Sequence, residues 1–420
     1  MSNTGKRNRK PMYSLLLAII YLAFISLGLP DSLLGAGWPT IHAEMGVPIS
    51  YMGMVTMLIS ASTIASSLLC DRVVARLGTY RITTISIGLT SLAMLGFSQA
   101  EEFWQLCLLA IPYGLGAGAI DASLNNYVAT HYNSRHMSWL HCFWGVGTIV
   151  SPNVMSLALA RSVWQDGYKA IGILQLCILF IVAISAPLWR AGGNKNDPAT
   201  AVLPIGIRGA VKIKGALPVF IGFLAYCATE STAMLWTSSY FEGVFGMAKD
   251  KAAALGSIFF IGMTVGRFIS GFIADRLGDS RMIRLGGVIA LLGIILAALP
   301  FKSVAILGFI IIGLGCAPIY PSIVHSTPAR FGAERSQSII GIQMASAYLG
   351  STLMPPLFGL IAENISLTLM PLYLAFFMII MLLLLTYADR LTIKKGAVTF
   401  GKTEKVRNIN KKVSNTKNRK

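Results

Sequence analysis

The chain has 420 residues, of which 55% are hydrophobic and only 12% are charged. An ordinary soluble protein carries about twice that share of charge, so the composition excludes a disordered chain, a typical nucleic-acid-binding domain and most soluble enzymes. The charges are also unbalanced, because 35 Lys and Arg against 17 Asp and Glu leave a net charge of +18. The positions of these few charges are therefore the main guide to function.

The six cysteines all fall inside apolar stretches, and their spacing is not that of metal ligands. We interpret them as small buried hydrophobic residues rather than as disulfides or a metal site. We expect no metal, no cofactor and no enzymatic activity.

Twelve apolar runs are each long enough to cross a membrane, since a hydrocarbon core about 30 Å thick needs roughly 20 residues of helix. They predict an all-α polytopic membrane protein whose twelve transmembrane helices form two pseudo-symmetric six-helix bundles. The first run follows four basic residues, as a signal peptide does, but it is too long and precedes eleven further runs, so we expect it to be retained. The runs are 12–34, 50–70, 80–98, 103–126, 138–160, 168–189, 216–240, 252–274, 283–300, 302–324, 337–360 and 367–388.

The basic residues orient these helices. Of the 35 Lys and Arg, 29 lie in segments on one side of the predicted membrane, 5 lie on the other side, and Arg267 lies within a run. The positive-inside rule therefore predicts a multi-pass cell-membrane protein with both termini in the cytoplasm. The terminal segments hold 14 of the 18 net positive charges, which we expect to attract the anionic inner leaflet.

The chain divides into two similar halves. Gly114-Leu115-Gly116 and Gly313-Leu314-Gly315 lie 199 residues apart, in the fourth and tenth runs. Two six-helix halves with matching internal signals indicate a transporter built from repeats. The expected organisation is a basic N-terminus (1–11), a six-helix bundle (12–189), a cytoplasmic linker (190–214), a second six-helix bundle (215–388) and a basic, disordered tail (389–420).

A charged motif lies between the eighth and ninth runs, where residues 271–281 follow the pattern Gly-x-x-x-Asp-Arg-x-Gly-x-x-Arg; residues 71–81 carry a degraded copy with three inserted residues. This pattern resembles the cytoplasmic loop motif of the major facilitator superfamily. The resemblance implies that family's fold and a latch that holds the outward-facing state. Alternatively, these residues only set the topology through their positive charge. The latch residues would be Asp71, Arg72, Arg81, Gly271, Asp275, Arg276, Gly278 and Arg281.

Three carboxylates, Asp31, Asp121 and Glu230, lie inside apolar runs. Each charge costs about 2.5–3.5 kcal/mol at the centre of a bilayer unless it pairs, meets water or binds a proton. An acid that is partly desolvated in an apolar cavity can load and release a proton near neutral pH, so we predict that these three couple transport to protons. The alternatives are an interfacial Asp31 near a helix end, and a structural pair between Glu230 and Arg267.

Amide and aromatic side chains accompany the acids in the same runs. Amides both donate and accept hydrogen bonds, and an aromatic face stacks on the C–H face of a sugar ring. His141 as a helix-packing residue, and Trp38 and Trp139 as membrane-interface anchors, remain alternative interpretations. The predicted substrate-binding residues are Asn125, Asn126, His141, Trp144, Trp236, Tyr320, Gln343 and Tyr348.

The combination of Asp31 in the first run with the segment 116–126 in the fourth resembles one subgroup of that superfamily, the fucose:proton symporters. The resemblance implies that Asp31 and Asp121 serve proton coupling and sugar binding, and that Asn125 contacts the sugar. The chain departs from the subgroup, because Asp121 stands where Glu is common, and His141 and Trp144 stand roughly where the subgroup has Gln and Asn. The identity of the solute therefore stays open.

The leading hypothesis is a secondary active symporter that moves a monosaccharide or similar small polar solute with a proton by alternating access. Sodium is an alternative coupling ion. A proton-driven efflux antiporter is disfavoured, because the fifth run lacks the Gly-Pro-x-x-Gly-Gly signature of such exporters. A scaffold or sensor acting through the basic tail is a further alternative. The expected partners are the solute, the coupling ion and membrane lipids, with no nucleic acid, and we expect a monomer.

Overall fold

The computed structural model describes residues 9–48, 51–160, 163–192, 204–247, 252, 255 and 258–392. Within these residues every regular element is a helix, and eleven helical segments are long and apolar enough to cross a membrane. A helix satisfies its own backbone hydrogen bonds, which hydrocarbon cannot do, so long apolar runs fold in this way. The part of the predicted tail (389–420) that follows residue 392 and the centre of the predicted linker, 193–203, lie outside the described residues, whereas residues 389–392 are helical.

The first half of the chain, up to residue 192, and the second half, from residue 204, each supply a series of helices. The first half comprises α1 (Arg9–Gly28), α2 (Leu33–Glu44), α3 (Met52–Phe97), α4 (Phe103–His131), α5 (Ser134–Leu159), α6 (Trp164–Ile184) and α7 (Ala186–Gly192). The second half comprises α8 (Gly206–Val211), α9 (Ala216–Phe245), α10 (Ile258–Leu277), α11 (Asp279–Ala297), α12 (Lys302–Cys316), α13 (Ile319–His325), α14 (Thr327–Phe331), α15 (Ala333–Asn364), a 3₁₀ turn (Leu367–Leu369) and α16 (370–392).

Helix α3 holds two of the predicted spans. Its 46 residues would reach about 69 Å if straight, roughly twice the thickness of the hydrocarbon core. Gly78 divides it with φ 77° and ψ 157°, a conformation that favours glycine. Gly278 has nearly the same angles, φ 78° and ψ 156°, between α10 and α11. The segment predicted as a loop at 71–81 is therefore helical except at the Gly78 kink.

Two of the predicted spans are interrupted beside a proline. The sequence predicts one helix over 12–34, but α1 ends at Gly28, turns follow, and α2 begins at Leu33. Asp31 lies in this break, directly after Pro30. In the second half α12 ends and α13 begins on either side of Pro318, where the sequence predicts an opening of the tenth span. Proline removes a backbone donor and clashes with the preceding turn, which explains both breaks.

The two halves meet along two seams, because α3 packs against α15 and α5 packs against α10. Small residues permit close approach between membrane helices. A Cβ added at Gly271 of α10 would overlap the indole nitrogen of Trp139 on α5, so this seam requires glycine. We call the end of the seams that carries the Gly78 and Gly278 kinks the basic face, and the other end the opposite face.

Candidate functional site

Asp121 lies within α4 and is 4% exposed. Its Oδ1 accepts a hydrogen bond from Asn125 Nδ2 at 2.7 Å, one helical turn further on. Its Oδ2 accepts a hydrogen bond from the hydroxyl of Tyr348 on α15 at 3.0 Å. Because α4 and α15 belong to different halves, this buried carboxylate joins the two halves at the centre of the molecule.

Asn125 extends this network to the fifth and tenth spans. Its Oδ1 lies 3.2 Å from Nε2 of His141, and both side chains are buried. Since an amide oxygen only accepts, His141 carries a hydrogen on Nε2. The His141 ring meets the ring of Tyr320 edge-on, with centroids 4.7 Å apart. The predicted residues Asn125, His141, Tyr320 and Tyr348 therefore gather around Asp121.

Within the part of the chain that the structure describes, the side chains that hold Asp31 belong to the first half. Its Oδ1 accepts from the hydroxyl of Tyr113 at 2.6 Å, and its Oδ2 accepts from Trp144 Nε1 at 2.9 Å. Unlike Asp121, Asp31 is exposed, because it lies in the break between α1 and α2. Trp144 also faces the second half, since the guanidinium carbon of Arg267 lies 5.5 Å from the centre of its ring.

Glu230 and Arg267 form a pair at the centre of the second half. They lie at the midpoints of α9 and α10, so both reach the middle of the membrane. Arg267 Nη2 is 3.5 Å from Glu230 Oε1, and the two side chains are only 9% and 13% exposed. Within the described residues, Nε of Arg267 has no hydrogen-bond partner. We call Asp31, Asp121, Glu230 and Arg267, with their contacts, the central cluster.

On the basic face, Asp275 of the predicted latch contacts the start of α5. Its Oδ1 accepts from the backbone N–H of Arg135 at 3.0 Å, and its Oδ2 is 3.4 Å from Nε of the same residue. The first N–H groups of a helix have no partner within the helix, and the helix dipole favours a negative charge there. Asp275, from the second half, thus caps a helix of the first half.

A second carboxylate strengthens this contact. Asp279 accepts from Ser134 Oγ at 2.6 Å, and its other oxygen is 2.7 Å from Nδ1 of His325. Nε2 of His325 lies 3.0 Å from the carbonyl oxygen of Tyr132, in the first half. Both ring nitrogens of His325 therefore face groups that only accept, which is the bonding pattern of an imidazolium with two N–H donors.

The α3–α15 seam has a related arrangement. Asp71 Oδ2 accepts from Ser338 Oγ of α15 at 2.6 Å, and Ser338 Oγ accepts from the backbone N–H of Ile205, ahead of α8, at 3.3 Å. Nearby, Ser336 donates a hydrogen bond to the side chain of Asn126. The arginines of the motif point elsewhere: Arg72, Arg81, Arg276 and Arg281 are exposed. We call Asp71, Asp275, Asp279 and His325, with their contacts, the gate cluster.

Three predicted substrate residues lie apart from Asp121 in the described structure. Trp236 donates from Nε1 to the carbonyl oxygen of Pro355 at 3.0 Å. Gln343 accepts from Thr327 Oγ1 at 3.0 Å, within the second half. Asn126 accepts a hydrogen bond from Ser336 of α15.

Sequence reasoning missed several residues that the structure brings into these clusters. Tyr113 precedes Asp121 by eight residues on α4, so two helical turns place both on one face, a signal that was available. Asp279 lies inside the charged motif of 271–281. His325 follows an apolar run, and no local pattern links it to Asp279, which is 46 residues away.

Comparison with known families supports the repeat. The family model described as Major Facilitator Superfamily matches this chain twice, over residues 20–250 and 219–416. An uncharacterised transporter of this type from Yersinia pestis is 25% identical over 364 residues, covering 83% of this chain and 89% of that protein. The glucose/mannose transporter GlcP of Bacillus subtilis is 20% identical over 357 residues, covering 81% of this chain and 86% of that protein.

The solved structures of one sugar transporter share this fold. FucP in the outward conformation aligns with a TM-score of 0.75 at 12% identity, over 90% of this chain and 99% of that chain. A second structure of FucP, the fucose:proton symporter of E. coli, aligns with a TM-score of 0.73 at 13% identity over the same shares. At this level of identity the likeness shows the fold.

Proposed function

We propose that this chain, which belongs to the Major Facilitator Superfamily, is a proton-coupled symporter of a monosaccharide or a similar small polar solute. Membership of this family makes it a multi-pass membrane transporter and not an enzyme. The coupling ion and the solute are the parts that we propose.

The observation that carries the proposal is the setting of Asp121. Its two oxygens are held by donors from both halves, Asn125 and Tyr348, and it is almost fully buried. When the halves rock apart on one side, the distance between α4 and α15 changes, and the hydrogen bond from Tyr348 changes with it. Proton occupancy of Asp121 is thereby tied to which face is open, as coupled transport requires.

The chemistry around Asp121 also fits a polyhydroxylated solute. Asn125 and His141 offer polar groups, and Tyr320, Tyr348 and Trp144 offer aromatic faces, which together suit the alternating hydroxyl and C–H surfaces of a sugar. The similarity to a glucose/mannose transporter and to the fold of a fucose:proton symporter supports this substrate class.

We further propose that the basic face is cytoplasmic and that the protein resides in the cell membrane, with halves corresponding to 12–189 and 215–388. The excess of Lys and Arg in the loops of that face supports this orientation. The gate cluster then lies at the cytoplasmic side, and its contacts between the halves support a closed cytoplasmic face. Cytoplasmic and external reporter fusions at residues 1 and 420 would test the orientation, with activity expected only from the cytoplasmic reporters.

The proposal is tested by replacing Asp121 with Asn and measuring solute accumulation in proteoliposomes under an imposed pH gradient. We expect gradient-driven accumulation to disappear while solute exchange without a gradient persists, because the amide oxygen still accepts from Asn125 but the side chain no longer takes up or releases a proton. Asp166→Asn is the matched control, since Asp166 is an exposed acid in the first turn of α6.

Three results would contradict the proposal. Unchanged accumulation by the Asp121→Asn variant would remove Asp121 from coupling. Accumulation that follows a sodium gradient rather than a pH gradient would assign the coupling to sodium. Expulsion of solute against its gradient when protons enter would identify an efflux antiporter.

A further inference from the structure

Arg267 is a buried cation whose structural contacts account for only part of its hydrogen-bonding capacity. A guanidinium has five N–H donors, and a charge at mid-membrane is costly unless it is paired. Among the described residues it pairs with Glu230 at 3.5 Å, whereas charge-assisted hydrogen bonds of this type are about 2.7–2.9 Å long. Its Nε, buried, has no partner among the described residues.

Arg267 also contacts the first half of the molecule, next to other members of the central cluster. Its guanidinium carbon lies 5.5 Å from the ring centre of Trp144, in the other half. Trp144 in turn donates to Asp31, so one chain of contacts joins Asp31, Trp144 and Arg267. A solute bound beside Asp31 and Trp144 would therefore lie close to the guanidinium.

We propose that Arg267 is the anchor for a carboxylate on the solute, so that the preferred substrate is a sugar acid rather than a neutral sugar. This inference rests on the proposed function, because it specifies the substrate class of the same central site. A carboxylate bridges two adjacent N–H groups of a guanidinium in a bidentate pair, which uses the unpartnered Nε.

The loose contact with Glu230 is consistent with this role. A tight bidentate pair with Glu230 would occupy the same donors and exclude a second carboxylate. At 3.5 Å from Nη2, the Glu230 carboxylate offsets the charge of Arg267 without a hydrogen bond of ordinary length, and Nε has no partner among the described residues. The ring centre of Trp144 lies 5.5 Å from the guanidinium carbon, a distance at which an aromatic ring stabilises a cation.

The test compares sugars that differ only at C6, such as glucose with glucuronate and galactose with galacturonate, in binding to the purified full chain and in uptake by proteoliposomes. We expect the wild-type protein to bind one uronate at least about tenfold more tightly than its hexose, the discrimination expected of a charge-assisted pair. The variant Arg267→Gln should lose that preference and bind the hexose and its uronate with similar affinities.

Arg267→Lys separates recognition from stability, because lysine keeps the charge but cannot form the bidentate pair. We expect this variant to fold as the wild type does and to bind the uronate about tenfold less tightly. Arg284→Gln, at an exposed site on α11, is the matched control and should retain the preference.

The outcomes distinguish this inference from the proposed function. Two results would overturn the role of Arg267 and leave symport intact. One is pH-driven uptake of a neutral hexose with no preference for its uronate. The other is an equal loss of affinity for the hexose and the uronate in Arg267→Gln. Absence of pH-driven uptake for every sugar and sugar acid would overturn the proposed function itself. A uronate preference that Arg267→Gln abolishes would support both.

Discussion

The central cluster and the gate cluster are both built from carboxylates, but they stabilise charge in different ways. In the gate cluster, Asp275 accepts from a backbone N–H at a helix start, and Asp279 meets a serine and a histidine. In the central cluster, Asp121 depends on single side-chain donors, Asn125 and Tyr348, in the middle of the membrane.

This difference separates the tasks of the two regions. Helix starts offer donors that are free whenever the halves part, so gate contacts break and reform with little cost as water takes their place. A buried central acid has no such replacement, and only a proton, a counter-ion or a ligand offsets its charge. The contacts of the gate cluster therefore depend on which side is open, whereas the charge balance of the central cluster depends on the proton, ion or ligand that is bound.

A second contrast lies within the centre. Asp31 and Glu230 are 199 residues apart, the same offset that separates Gly114-Leu115-Gly116 from Gly313-Leu314-Gly315. Asp31 lies in a helix break and is held by neutral donors, Tyr113 and Trp144, whereas Glu230 lies in an unbroken helix beside Arg267. The acids of the two halves thus have different partners, which are neutral donors for Asp31 in the first half and a cation for Glu230 in the second.

The largest effect on the gate is expected from Gly271→Leu. The added side chain overlaps the indole of Trp139, and overpacking of this kind costs about 1–3 kcal/mol. Because the overlap exists only when the basic face is closed, we expect that face to open and uptake to fall about tenfold. Uptake by Gly53→Leu, at a position with open space around its Cβ, is the control and should stay near the wild-type rate. Equal losses in both variants would contradict a specific role for the seam.

A comparable effect is expected from Asp275→Ala. The backbone N–H of Arg135 loses its acceptor, and hydrogen bonds to charged groups contribute about 1.5–3 kcal/mol. We expect hydrogen exchange of the Arg135 amide to accelerate by about tenfold or more, measured by mass spectrometry. The control is Glu334→Ala, which removes an exposed ion pair to Arg335 on one helix. No change in exchange for Asp275→Ala would mean that the gate does not depend on this cap.

A double-mutant cycle tests whether His325 acts on the gate cluster through Asp279. Asp279→Asn and His325→Gln each remove one charge of a pair whose atoms lie 2.7 Å apart. We expect the two changes in Arg135 amide exchange to be non-additive, with a coupling of about 0.5–3 kcal/mol. Additive effects would show that the two residues act independently on the gate.

The smallest effect is expected from deletion of residues 393–420. If the tail only attracts anionic lipid, the truncated protein should transport with nearly unchanged kinetics in proteoliposomes, while its binding to anionic vesicles weakens.

The same tail, outside the described residues, contains Gly396-Ala397-Val398-Thr399-Phe400-Gly401-Lys402-Thr403, which has the spacing of a phosphate-binding loop. We expect added ATP to leave uptake unchanged, and a response to ATP that the deletion abolishes would assign the tail a regulatory role.

Much of the architecture was predictable from local sequence. A run of apolar residues long enough to span a bilayer must be helical, so the number of spans followed from hydropathy alone. The helix breaks were harder to predict from the sequence, because Pro30 interrupts the first span whereas Pro112, Pro152 and Pro355 lie inside continuous helices. Whether a proline ends or only bends a helix depends on what satisfies the freed carbonyl groups.

The sequence by itself determined the helices, the repeat, the side that carries the basic loops and the presence of three acids in apolar surroundings. These properties follow from solvation, which acts on each segment separately. Only the tertiary structure decided which groups meet those acids: Tyr348 with Asp121, Trp144 with Asp31 and Arg267 beside Glu230. Such contacts join residues that are 37 to 227 positions apart, and they depend on how whole helices pack, which no local pattern encodes.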